Sequence, residues 1–223
     1  MKKYVFLLIC LMAAISVHAE DNSKEYHVRL TKTDGTVFEG YNNTRLRNWL
    51  KPKVTSVSIS KEYQGPAIKY TSEEVKRLVF VESLSDSIPV VFDAVKAQSK
   101  RPTLFSKNPK PYKEPIFLRL VYDGNNVKGY AMPITDATYV PSMTKVHYTW
   151  RYFYLTKDSD VAVAYWDDVD DIIPGMKKVM KFYLREFPEL VEMVDKEEIT
   201  ARDFRDNPTI VLPLIDKTYS PKE

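Results

Sequence analysis

Residues 116–132 constrain this chain more than any other stretch. Ile116, Leu118, Leu120 and Tyr122 alternate with Phe117, Arg119 and Val121, and Asp123-Gly124-Asn125-Asn126 then interrupts the run. Val127, Tyr130, Ala131 and Met132 follow. A long apolar run, a tight turn and a second run predict a β-hairpin. With apolar residues on both sides of its first strand, the hairpin is expected to be central and covered on both faces. The chain before and after it must supply the covers.

Before the hairpin, short strands dominate. Tyr26, Val28 and Leu30 alternate with His27, Arg29 and Thr31, and Asp34-Gly35 marks a turn to a return strand over residues 37–41. Further strands are expected over 54–59, 67–70 and 78–81. Thr71 and Glu74 have capping-box spacing, which predicts one helical turn before the last strand. Five short strands with a helical turn before the fifth resemble an SH3-like or Sm-like small barrel.

Residues 84–114 carry Lys96, Lys100, Arg101, Lys107, Lys110 and Lys113, with Pro89, Pro102, Pro109 and Pro111. Proline keeps such a segment extended. A strand is expected to begin at Val90-Val91-Phe92, and the rest is expected to be a solvated connector, with contact to lipid phosphates as the alternative.

After the hairpin, residues 150–155 form an aromatic strand, Lys157-Asp158-Ser159-Asp160 a turn, and 161–166 its partner. The acidic run Asp167, Asp168, Asp170 and Asp171 lacks the glycine and the final glutamate of a calcium-binding EF-hand loop. It is expected to precede a helix, whose dipole favours carboxylates at that end. Met176, Val179, Met180, Tyr183, Leu184 and Phe187 follow at helical spacing, with lysines opposite. Pro188 starts another turn, Thr200 and Asp203 form a cap, and Asn207-Pro208 opens a last helix that Pro213 should kink.

The first residues address the chain. Lys2 and Lys3 precede an uncharged apolar run over 4–17, and Val17-His18-Ala19 offers a cleavage site. This is the pattern of a secretory signal peptide over residues 1–19, too short for a spanning helix. Cleavage removes Cys10, the only cysteine, and two lysines from a formal charge of +3. The product is expected to be periplasmic or extracellular, with no disulfide, no thiol nucleophile and no transmembrane segment.

Several strings resemble uncharacterised secreted proteins of Bacteroidota. They are Met176-Lys177-Lys178, Lys181-Phe182-Tyr183 and Phe187-Pro188-Glu189-Leu190-Val191, together with the Asp123-Gly124 hairpin and residues 69–75. Glu186-Phe187 stands where that group has Asp-Cys, and Tyr219-Ser220 where it has Tyr-Asn. The resemblance implies an envelope or secreted location and carries over no catalytic residue.

The expected fold class is α+β, mostly antiparallel β. After the signal come a barrel-like unit over residues 20–83, the connector over 84–114, and a second antiparallel sheet with a helical cap over 115–223. His27 and His147 are the only histidines beyond the signal, and no nucleophile elbow, zinc helix motif or glycine-rich phosphate loop is present. No catalytic residue, metal site or cofactor is assigned. A near-balanced charge and export argue against nucleic acid. The expected function is a non-catalytic envelope protein, a binding or structural module for a glycan or an envelope protein. The alternative is a secreted polysaccharide hydrolase using paired carboxylates. The candidate ligand-stacking residues are Trp49, Trp150 and Trp166. Core packing is the competing role for all three, because large aromatic rings are mostly buried.

Overall fold

The computed structural model describes residues 26–42, 51–81, 90–103, 106–134, 149–168 and 175–219. Among them lie ten strands: β1 (Tyr26–Lys32), β2 (Val37–Asn42), β3 (Ser56–Ser60), β4 (Ala67–Thr71), β5 (Val75–Phe80), β6 (Val90–Val95), β7 (Ile116–Asp123), β8 (Val127–Pro133), β9 (Trp150–Thr156) and β10 (Val163–Asp167). Four short helices follow: α1 (Met176–Tyr183), α2 (Pro188–Asp195), α3 (Ala201–Asp206) and α4 (Val211–Thr218). The class is α+β, with an antiparallel sheet and C-terminal helices.

All ten strands join one row, in the order β10-β9-β8-β7-β6-β5-β1-β2-β3-β4. The segment expected as a connector contains β6, which pairs with β5 on one side and β7 on the other. Hydrogen bonding therefore runs unbroken through both halves. The hairpin of β7 and β8 is internal to the row, as its two apolar faces require.

Side-chain alternation divides the hairpin end of the sheet into two faces. One face carries Ile116, Leu118, Tyr130, Met132 and Phe153, which pack with Val95, Ala97, Ala162 and Ala164. The other carries Val127, Tyr154 and Tyr165 and receives the helices through Met180, Leu184, Leu190, Phe204, Leu212 and Ile215. A third cluster, including Val28, Leu30, Val57, Ile59, Leu78 and Phe80, fills the N-terminal strands and reaches Phe92 and Phe117.

Two β-bulges break this alternation. One lies between Leu120 and Tyr122, where β7 pairs with β8. The other lies between Ala164 and Trp166, where β10 pairs with β9. An extra residue on one strand turns the next side chain to the opposite face. Val121 and Tyr122 thus both face the helices, as do Tyr165 and Trp166. Strict alternation places Tyr122 with Leu120; the bulge is why it lies elsewhere.

The far end of the row curls. Beyond β6, Ala97 forms a parallel bridge to Ala162, just before β10. Gln98 N–H donates to Ala162 O at 2.9 Å, and Ala162 N–H donates to Lys96 O at 2.8 Å. Strands β6 to β10 therefore bend until their ends touch, around three alanines small enough to let them approach. The rest of the connector folds on itself, with Tyr112 N–H donating to Ala97 O at 2.9 Å.

Local signals place the helices. Gly175, at φ 88°, takes the left-handed conformation preceding α1. Pro188 occupies the first turn of α2. Thr200 and Asp203 form the expected capping box on α3. Pro213 does not act as an interior helix breaker. The chain turns through Asn207, Pro208 and Thr209, and α4 begins only at Val211. Pro213 falls in its first turn, where no intrahelical N–H is lost.

Candidate functional site

Trp166 lies at 1 % exposure beneath the helices, its ring centroid 5.2 Å from that of Phe204. Both ring faces are taken up by protein, so Trp166 cannot stack on a ligand. Trp150 is half-buried at the start of β9, and its backbone N–H donates to Asp168 Oδ2 at 3.2 Å. Trp49 lies outside the described residues. Of the two described tryptophans, only Trp150 keeps exposed surface that a ligand could reach.

The acidic run is divided by the end of β10. Asp167 is buried and takes a bidentate pair from Arg151, its cross-strand partner, with Nε to Oδ1 at 2.7 Å and Nη2 to Oδ2 at 2.9 Å. Arg151 Nη1 also donates to Ser99 O at 3.1 Å, tying the connector to β9. Burial raises the pKa of Asp168 above the ordinary carboxylate value. Residues 169–171 lie outside the described set. Among the described residues, no group of three or more His, Cys, Asp or Glu could hold a metal ion.

His27 lies on β1. Its Nε2 sits 3.4 Å from Glu39 Oε2 and its ring packs on Tyr41, on the β1–β2 surface. His147 lies outside the described residues. The connector's cations are partly engaged: the Arg101 guanidinium lies 5.3 Å from the centre of the Tyr183 ring.

Two concavities flank the β9–β10 turn, and Thr156 and Ser159 line both. The larger, about 660 Å³, lies on the helical side. Its apolar lining is Val163, Pro188 and the edges of Tyr154 and Phe187, two largely buried rings packed edge to face with centroids 5.3 Å apart. Polar groups surround that lining: Gln98 and Asn108 from the connector, Asp158 from the turn, and Glu186 and Glu189 around the start of α2. Tyr219 closes one end, its hydroxyl donating to Asp158 Oδ2 at 2.6 Å.

The electrostatics of this groove are mixed. Burial, with a smaller push from Glu186, raises the Tyr154 hydroxyl far above its ordinary value, so it stays a neutral donor and acceptor. Arg185 is held by its neighbours: Nη1 donates to Phe182 O at 2.8 Å and Nη2 to Lys107 O at 3.2 Å. Its guanidinium also stacks on the Phe182 ring at 4.5 Å. The remaining polar groups are amides, hydroxyls and carboxylates, the repertoire that pairs with sugar hydroxyls. Apolar surface with convergent polar groups is the usual composition of a ligand pocket.

Sequence reasoning missed this groove because its residues come from four separated stretches. The usable signal was the string from Arg185 to Glu189, which combines two acids, an aromatic ring and a helix-starting proline. No family model, curated protein or solved structure matches the chain.

Proposed function

We propose that the protein is an exported, non-catalytic binding module that takes a polysaccharide segment in the groove beside Tyr154 and Phe187. The observation that carries this reading is the groove's make-up: an apolar strip that includes the edges of Tyr154 and Phe187, ringed by amides, hydroxyls and a few carboxylates. Export rests on the signal pattern of the first 19 residues, which precede the described set, and the Bacteroidota resemblance supports an envelope location. No helix among the described residues is long and apolar enough to cross a membrane. Residues 20–83 are read as a small SH3-like barrel. Support comes from the run β5-β1-β2-β3-β4 in the row and from the three-residue link between β4 and β5. Across that link Thr71 and Glu74 bond reciprocally, with Thr71 N–H donating to Glu74 Oε2 at 2.7 Å.

The test is thermal unfolding of the purified chain against a panel of neutral oligosaccharides, each compared with its monosaccharide. A ligand present at 100 times its Kd stabilises the folded state by about 2.7 kcal/mol. At least one oligosaccharide should raise the midpoint, and Asn108→Ala should abolish the shift while leaving the ligand-free midpoint unchanged. If no oligosaccharide moves the midpoint, the glycan reading is lost.

One observation favours a second reading. Asp158, Glu186 and Glu189 bring three carboxylates to one groove, the residue type that glycoside cleavage needs. A hydrolase would release reducing ends from a bound polysaccharide, and Glu186→Gln or Glu189→Gln would stop release without abolishing binding. Binding with no release in the unmodified protein selects the non-catalytic module.

A further inference from the structure

The second concavity, about 370 Å³, opens on the face of the sheet turned away from the helices. Residue parity fixes this placement. Gly129 approaches Leu212 of α4, whereas its neighbour Tyr130 points the other way, into the cluster with Phe153 and Val95. Likewise Tyr154 lines the helical groove and Leu155 lines this one. The two cavities are therefore separate sites that meet only at the rim.

The floor is a closed polar unit. Asp93, 7 % exposed, receives Arg77 Nε on Oδ1 at 2.6 Å and Arg77 Nη2 on Oδ2 at 2.8 Å. The Tyr130 hydroxyl donates to Asp93 Oδ2 at 3.1 Å. A bidentate guanidinium–carboxylate pair cancels its own charge and uses its directional donors internally. Neither Arg77 nor Asp93 then sets the net sign of the site.

The rim sets it. Lys76 stands next to the floor on β5, Lys96 follows β6, Lys128 lies on β8, and Lys157 begins the β9–β10 turn. Four lysines from four separate stretches of the chain thus line the cavity. Among the described residues, neither Lys76 nor Lys96 has an ion-pair partner within 4 Å. Lys157 Nζ donates to Asn126 Oδ1 at 2.9 Å, a neutral acceptor that leaves its charge intact. Lys128 has a loose partner in Asp123 at 3.5 Å, and Asp160 is the one acid besides Asp93 that lines the cavity. Asp216 lies close behind Gly124 and keeps its charge, since its partners are the turn's neutral amides, but it is not among the lining residues. With the Arg77–Asp93 pair set aside, four lysines face Asp160 and the nearby Asp123, a surplus of two positive charges over this set.

We propose that this cavity binds a phosphate-bearing ligand, with Lys76, Lys96, Lys128 and Lys157 around the phosphate and the Arg77–Asp93–Tyr130 unit as a rigid floor. A phosphate monoester carries about −1.5 to −2 at neutral pH, which matches the surplus, and offers three acceptor oxygens to donors arriving from several sides. Lysine ammonium groups act as point charges with rotatable donors and bind phosphate without a fixed fork geometry. The volume suits a phosphate with a small attached group, such as a glycerol or one sugar ring. Two sources share this chemistry: a soluble phosphorylated sugar or polyol, and the headgroup of an anionic phospholipid.

The test is calorimetric titration of the purified chain with inorganic phosphate, glycerol phosphate and a hexose phosphate, with glycerol and hexose as neutral controls. In parallel, the chain is sedimented with vesicles of neutral lipid, with and without phosphatidylglycerol. Binding of a soluble phosphate ester assigns the soluble source. Sedimentation only with anionic vesicles, reversed by inorganic phosphate, assigns the headgroup. In either case the paired change Lys96→Gln with Lys157→Gln should weaken binding by roughly tenfold or more, and binding should fade with added salt. The ligand-free melting midpoint should stay unchanged, since neither lysine makes a buried contact. The proposal is overturned if no phosphate compound and no anionic vesicle binds. Equal affinity for the neutral controls, or binding that ignores both the lysines and the salt, would also overturn it.

Discussion

Asp216 of α4 holds the β7–β8 turn through Asn126, ninety residues earlier in the chain. Its Oδ1 accepts from Asn126 N–H at 2.6 Å and from Val127 N–H at 3.0 Å. Its Oδ2 accepts from Asn125 N–H at 3.3 Å and from the Tyr122 hydroxyl at 3.2 Å. Asn126 Nδ2 returns a bond to Asp216 O at 3.0 Å. Consecutive turn amides form a small anion-binding concavity. Here the chain's own last helix supplies the anion, and this is how the helical cover is latched to the central hairpin. Asp216→Ala leaves three turn amides without that acceptor. Water can reach them in part, so the expected loss is about 1–3 kcal/mol. Urea denaturation should show a lower midpoint at unchanged slope.

The same latch should respond to acid. Hydrogen bonds from the Asn126, Asn125 and Val127 amides hold the Asp216 carboxyl below its ordinary value of 3.8. A carboxyl whose folded pKa is depressed stabilises the fold above its unfolded pKa, and that contribution disappears as pH falls through the folded value. The stability difference between the native chain and Asp216→Asn should therefore be constant near neutrality and shrink below pH 3.8. Denaturation of both proteins across that range reads it directly. A difference that grew with acid would remove the carboxylate from the latch.

Close approach of α4 to the sheet depends on Gly129. A Cβ built there would run into Leu212 Cδ1 and would lie 3.0 Å from the Tyr122 Cβ. Overpacking of this kind costs about 1–3 kcal/mol. Leu212→Ala alone opens a cavity beneath the helix, at about 2–5 kcal/mol. Since the two changes act on one contact, the double variant Gly129→Ala with Leu212→Ala should be more stable than the sum of the single losses implies. Strict additivity in a double-mutant cycle would mean that α4 does not rest on Gly129.

What the sequence made legible follows the range of the signals involved. The hairpin, the α1 face and the Thr200 cap are written within a few residues of one another, and all three lie where local patterning puts them. The ion pairs Arg77–Asp93 and Arg151–Asp167 were not legible. Each joins residues sixteen apart whose pairing depends on strand register, and nothing in either segment announces that register. The bulges were hidden for a related reason. An extra residue in β7 or β10 is visible only against its partner strand, yet it decides which face Tyr122 and Trp166 occupy. The helical groove needs the fold itself, because Gln98, Tyr154, Glu186 and Tyr219 meet only once α1 and α2 cover β9.

The bulge in β10 gives the two described tryptophans opposite tests. Trp166 is turned inward against Phe204, and the ring is among the largest fully buried side chains described. Trp166→Ala removes an aromatic core residue at a cost of about 3–5 kcal/mol, a large part of the stability a domain ordinarily has. The variant should melt far below the native chain or fail to accumulate. Trp166→Phe should restore much of the loss, because a ring remains against Phe204. Trp150 sits at the first position of β9 and bonds to Asp168 through its backbone, so Trp150→Ala keeps that bond and should shift the midpoint only slightly. Measuring both variants by thermal unfolding separates a packing role from a surface role. A mild effect at Trp166 with a severe one at Trp150 would place the bulge, and with it the whole face assignment of β10, in error.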